Sequence, residues 1–223
     1  MPTMRQPLNL PERLAIFPLS GVVLLPFGHL PLTIFEPRYL SMIDDALGHG
    51  RIIGMVQPRA NPSDPVPHDA ALYDIGTAGR IVHFQDPGDG RYFITLEGVS
   101  RFRIAGLIEP AVDLGYRWVT PDFTPFAEDL QPIEQHEGPG RARLLELMHG
   151  YFDLQEIDAD WDAVSDAPFE ALVSSLAMTC PFAPEEKQAL LECNNDEMRA
   201  STLISLLEMN IAEAAGSSAT LKH

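Results

Sequence analysis

The sequence predicts an α+β fold, a β-rich half followed by a helical half. Three observations carry this. Residues 12–123 break into short aliphatic and aromatic runs separated by Gly, Pro and Asp, the pattern of successive strands. From about residue 141 the apolar residues recur at three- and four-residue spacing, the period of amphipathic helices. The charge changes in the same region. Residues 1–120 carry ten arginines against twelve carboxylates, a net charge of −2, whereas residues 121–223 carry five cations against twenty carboxylates, a net charge of −15.

The strand candidates, in order, are "LAIFPL", "GVVLLPF", "HLPLTIF", "RIIGMVQP", "IGTAGRIVHFQ", "RYFITLEGVSRFRIAGLIE" and "YRWVTPDF". Between the fifth and sixth stands "DPGDG" (Asp86–Gly90), whose glycines and aspartates suit the positive φ of a hairpin turn. One helix is expected in this half, Pro37–Leu47. Proline is tolerated in a first helical turn because that N–H has no acceptor anyway. Leu40, Ile43 and Leu47 then share a face. Residues 59–74 carry three prolines and little periodicity, and read as a long surface loop.

Residues 124–140 form a Pro-rich acidic connector. A helical subdomain follows over 141–216, with runs near 141–153, 168–178, 185–193 and 196–215. Pro168 and Pro184 stand at helix starts, Asn195 or Asp196 can cap the last helix, and Gly216 can end it. Residues 217–223 read as a disordered tail.

Composition and motifs exclude several classes. A net charge of −17 repels polyanions at long range and opposes nucleic acid as the main partner. No basic stretch leads into an apolar run at the N-terminus, and prolines interrupt the longest apolar stretch. Neither a signal peptide nor a membrane helix is expected. Two cysteines, Cys180 and Cys193, without a CxxC spacing, fit a reducing, cytoplasmic setting. The only lysines, Lys187 and Lys222, follow no glycine, so there is no phosphate-cradling GK[ST] loop. No G-x-S-x-G elbow occurs. A Ser–Lys dyad would have to use one of the two lysines, and Lys187 lies among carboxylates expected to raise its pKa. Asp158, Asp160 and Asp162 occupy alternate positions like those of a calcium loop. Ala163 and Phe169 stand where that loop needs Gly and Glu, so a solvated acidic loop is expected. No cofactor and no enzymatic activity are expected.

The stretch "LAIFPLSGVVLLPFGHLPLTIFEPRYLSMIDDAL" resembles the start of the Lon protease N-terminal, substrate-binding domain family. Its pattern stands here as Phe17-Pro18-Leu19, Val23-Leu24-Leu25-Pro26, Leu30-Pro31-Leu32 and Ile34-Phe35-Glu36-Pro37-Arg38-Tyr39. Phe27 intervenes before Gly28, where the family often has Gly directly after Pro. "LEGVSRFRI" (Leu96–Ile104) and "PFAPEEKQALLECNNDEMRASTLISLL" (Pro181–Leu207) are similar to two further family segments, in the same order. The resemblance implies a PUA-like β-barrel of about six strands plus one helix over 12–123, then a helical bundle. It also implies a stand-alone recognition module without the ATPase and peptidase parts. Such a module would bind unfolded or exposed polypeptide segments and work beside a protease or chaperone.

Two binding surfaces are expected candidates. Phe35, Glu36, Arg38 and Tyr39 would line a peptide groove at the strand-to-helix joint, since Arg and Tyr are common interface anchors. The rival reading of that joint is a structural corner. Arg80, Arg91, Arg101 and Arg103, interleaved with aromatics on one hairpin, would form an RNA-binding surface as the alternative.

Overall fold

The computed structural model describes residues 10–60, 65–108, 115–131, 140–154 and 158–220. Six strands form one sheet. They are β1 (Leu14–Pro18), β2 (His29–Ile34), β3 (Ile52–Val56), β4 (Ile75–Gln85), β5 (Tyr92–Ile108) and β6 (Arg117–Asp122). β1 runs parallel to β3, and every other pairing is antiparallel. The pairings β1–β3–β4–β5–β6–β1 close a ring, while β2 lies on the first half of the 17-residue β5. β2 is thus an edge strand, and it carries Pro31. Proline cannot donate to a ladder, so its nitrogen belongs on the open side, where it blunts the edge against a further strand.

The β4–β5 hairpin turns where expected. Gly88 and Gly90 take φ of 79° and 83°, and Gly88 N–H donates to Asp86 Oδ1 at 2.8 Å. "GVVLLPF" is not a strand. Val23, Leu24 and Leu25 are buried in irregular chain that runs between two cores. Leu24 enters the cluster formed by the sheet and the first helix, while Val23 and Leu25 enter the helical cluster. A segment embedded on both sides reads as a buried strand by hydrophobicity alone.

β1 is buried on both faces. Leu14 and Ile16 pack with Phe102 and Val119, and Ala15 and Phe17 pack towards helix α1 (Pro37–Gly48). The face that α1 buries is Tyr39, Met42, Ile43 and Ala46, with Leu40 and Leu47 only flanking it. Residues 65–74 of the expected loop are strapped to the barrel. Val66 and Ala70 carbonyls accept from Arg38 and Arg117, and Arg59 reaches both the Leu72 carbonyl and Asp74. Residues 61–64 lie outside the described residues.

A 3₁₀ segment, Thr124–Leu130, opens the expected connector and inserts Phe126 against the barrel. The helices α2 (Arg141–Leu154), α3 (Trp161–Asp166), α4 (Phe169–Thr179), α5 (Pro184–Glu192) and α6 (Asp196–Thr220) follow. Asn195 caps α6 by accepting from Met198 N–H at 2.8 Å, and Pro184 opens α5. α6 continues through Gly216 to Thr220 rather than ending there, because glycine weakens a helix without stopping it. The acidic stretch is a helix from Trp161 on, not a loop, with Val164 N–H donating to Asp160 O at 2.9 Å. Residues 221–223 lie outside the described residues.

Candidate functional site

The joint at Pro37 is a corner. Glu36 holds the extended φ/ψ of −73° and 132° that a following proline favours, and helix α1 starts at once. Arg38 Nε donates to Glu36 Oε2 at 2.9 Å, and its Nη2 donates to the Val66 carbonyl at 2.8 Å. The guanidinium also lies 4.5 Å from the Tyr39 ring centre, within cation–π range. Tyr39 points inward, edge-on to Phe17 at 4.4 Å, and burial raises its pKa. The expectation that Tyr39 lines a surface groove is therefore corrected, because the α1 face that packs on the barrel contains it. Phe35 points the other way and is 60% exposed. The four residues do not converge on one surface.

The arginine cluster is also taken apart. Arg101 is 4% exposed, whereas Arg103, two residues on, is exposed. Arg91 pairs with Asp89, Arg80 stands opposite Glu97 in the ladder, and Arg103 stands opposite Asp122. Each outward cation of the hairpin has a carboxylate paired with it or opposite it in the ladder, and the fourth cation is inside, so no basic stripe forms. Asp158, Asp160 and Asp162 do not converge either. Among the described residues no group of three His, Cys, Asp or Glu side chains is placed to hold a metal.

Lys187 reverses the expectation drawn from its neighbours. It turns away from the carboxylates, is buried, and donates from Nζ to the Met178 carbonyl at 3.0 Å. Desolvation therefore lowers its pKa. Cys180 beside it is pushed up to about 11 by burial, the mark of an inert thiol.

The barrel meets the helices through polar contacts of high specificity. Asp129 takes Arg101 with both oxygens, from Nη2 at 2.8 Å and Nε at 2.9 Å. Arg101 Nη1 then donates to the carbonyls of Leu191 and Cys193, where α5 ends. Gln57, 1% exposed, donates to the Pro184 carbonyl at 3.0 Å and to Gln188 at 3.1 Å, and Gln188 donates to the Ile75 carbonyl.

Beside this seam opens a groove of about 1100 Å³ between the barrel and the helices. Its apolar surface includes Pro26, Phe27, Phe169, Met178 and Ile204. Its polar rim includes Glu128, Asp129, Asp196 and Glu197, with Arg101 and Arg199 beneath. Arg199 is 2% exposed. It donates to the Leu190 carbonyl and pairs with Asp196, leaving Nη2 without a hydrogen-bond partner. The loop Pro26–Gly28 forms one wall and sits tightly on α4, since a Cβ at Gly28 would come 2.4 Å from Met178 Sδ.

Phe27 takes φ of 65°, a left-handed conformation that is strained for an aromatic residue. The sequence reading did not place Phe27, Met178 or Ile204 in a site. The signal for Phe27 was available as the aromatic standing where the resembled pattern has Gly. The other two carry no local signal, because helix packing alone brings them to the groove.

Comparison with known proteins places these observations. A model of the ATP-dependent protease La (LON) substrate-binding domain matches residues 13–209. The chain is 36% identical over 206 residues to Lon protease 2 of Myxococcus xanthus, covering 89% of this chain and 24% of that protein. It is 33% identical over 206 residues to Lon protease of Anaeromyxobacter dehalogenans, covering 89% of this chain and 23% of that protein. The chain thus spans about a quarter of the length of these relatives. A Lon N-terminal domain protein of Xanthomonas campestris superposes with a TM-score of 0.59 at 24% identity, over 86% of this chain and 97% of that one. The N-terminal domain of the Mycobacterium avium complex Lon protease gives 0.64 at 14% identity, over 88% and 98%. Both share the fold.

Proposed function

The chain belongs to the ATP-dependent protease La (LON) substrate-binding domain family, and from that premise we propose that its groove holds exposed or unfolded polypeptide segments. The observation that carries the proposal is the groove itself. It has a volume of about 1100 Å³, and its walls come from both halves of the molecule. Apolar side chains on its surface can take up the side chains that an unfolded segment exposes. Addition of a strand to the barrel edge is the weaker mode, because Pro31 removes a donor from the middle of β2.

No chemistry is assigned to the module. It serves recognition, handing segments to a protease or chaperone in protein quality control. Binding of a flexible segment loses ordering entropy, so affinity near micromolar is expected, about −8 kcal/mol.

The test is a fluorescence-anisotropy titration with a labelled, permanently unfolded polypeptide. The expected result is a saturable rise that survives moderate salt and is competed by the unlabelled polypeptide. A linear, unsaturated trace up to the solubility limit rejects the proposal.

A further inference from the structure

We propose that the groove selects polypeptide segments in which apolar residues are flanked by lysine or arginine. This rests on the recognition reading above and names the class of segment. The argument is charge complementarity at a mapped surface.

The cations that line the groove are committed to the fold. Arg101 is held by both oxygens of Asp129 and by two carbonyls at the end of α5. Arg199 is held by Asp196 and by the Leu190 carbonyl. Each of these arginines has its own carboxylate, so neither presents net positive charge to an occupant. Glu128 and Glu197 remain. Both are exposed and line the groove, one from the 3₁₀ segment after the barrel and one from the first turn of α6. Among the described residues neither has an ion pair. The surroundings reinforce them, since residues 121–223 carry a net charge of −15.

The same groove carries the apolar surface of Phe27, Met178 and Ile204. An occupant that fits this lining has apolar side chains with cations beside them. An acidic segment would bring like charge against both glutamates. A field of this sign also speeds the encounter with cationic chains, an effect that falls with ionic strength.

The experiment uses the whole chain and two fluorescein-labelled peptides with one apolar core. One carries flanking lysines and the other flanking glutamates. Each is titrated at low and at moderate salt, against the wild type and against Glu128→Gln/Glu197→Gln. Both glutamates are exposed, so the variant is expected to keep the wild-type unfolding transition, which is checked alongside. The lysine-flanked peptide is expected to bind about tenfold more tightly at low salt. That ratio is expected to shrink about threefold in the variant and to narrow with salt. Equal affinity for the two peptides overturns charge selection and leaves the recognition reading standing. Preference for the lysine peptide that is unchanged in the variant overturns the assignment to this rim. Saturable binding of neither peptide removes both this proposal and the recognition reading beneath it.

Discussion

Asp129 grips Arg101 with both carboxylate oxygens, at 2.8 and 2.9 Å, and so joins the segment that leaves the barrel to the strand that runs through it. The two side chains are 8% and 5% exposed, and the guanidinium passes the contact on to the carbonyls of Leu191 and Cys193. One ion pair therefore fastens three parts of the chain.

Removing one partner strands a buried charge. Asp129→Ala is expected to destabilise the fold by about 3–5 kcal/mol. The double change Arg101→Met/Asp129→Leu should recover part of this and not all, because the carbonyls of Leu191 and Cys193 lose their donor. Urea unfolding followed by circular dichroism measures both. A double variant less stable than Asp129→Ala would contradict the argument.

Gly98 and Gly28 are needed for lack of space, and they differ in what fills it. A Cβ at Gly98 would sit 2.0 Å from the Leu25 carbonyl oxygen, which is backbone. At Gly28 the closest atom is Met178 Sδ, on a flexible side chain. Gly28→Ala should cost about 1–3 kcal/mol and Gly98→Ala more than that. Thermal unfolding ranks them, and the reverse order would show that the backbone at Leu25 and Pro26 yields more easily than the Met178 side chain.

Phe27 and Phe35 separate the two candidate surfaces. Phe27→Gly relaxes the left-handed backbone, offsetting the lost side-chain contacts, so stability should move by no more than about 1 kcal/mol. Polypeptide affinity should fall about tenfold, the loss typical of an aromatic anchor. Phe35→Ser, at an exposed corner, should leave both unchanged. Anisotropy titrations that lose affinity in Phe35→Ser alone would move the site from the groove to the joint at Pro37.

Stability should fall in alkali. Cys180 titrates near 11 in the folded protein against 9.0 when free, and Tyr151 near 12 against 10.0, both because burial disfavours the charged form. The unfolded chain loses these protons first. The stability they contribute is intact below about pH 9 and is lost as the pH climbs towards 11 and 12. Lys187 acts in the opposite sense, since its pKa is lowered and its burial penalty fades once the unfolded amine also deprotonates near 10.5. Melting temperatures across this range should decline, and Cys180→Ala should make the decline shallower. An unaltered slope in that variant would count against thiol burial as a cause.

The strands and most helices were legible because their signals are local. The glycines of the hairpin at Asp86–Gly90, Pro184 at a helix start and Asn195 as a cap all act through neighbouring backbone. What failed depended on distant chain. Val23–Leu25 looked like a strand because both of its sides are buried, which no periodicity can distinguish from a ladder position. Arg101 looked like a surface cation because Asp129, its partner, lies beyond the end of the barrel. Lys187 looked charged and raised because its sequence neighbours are acidic, whereas its side chain turns into the Met178 carbonyl. A groove between barrel and bundle could be expected from the resemblance, but the residues that line it could not, as no single element contains them.

The strip Val23–Leu25 has a consequence for how the protein is made. Leu24 completes a cluster of barrel and α1 residues, whereas Val23 and Leu25 belong with Leu144, Leu176 and Leu207. A chain leaving the ribosome can assemble its strands long before those helices have been translated. Throughout that interval two aliphatic side chains near the amino terminus wait for partners still to be synthesised. Synthesis halted after the barrel would leave them bare, a sticky nascent chain that only translation of α2 through α6 makes safe.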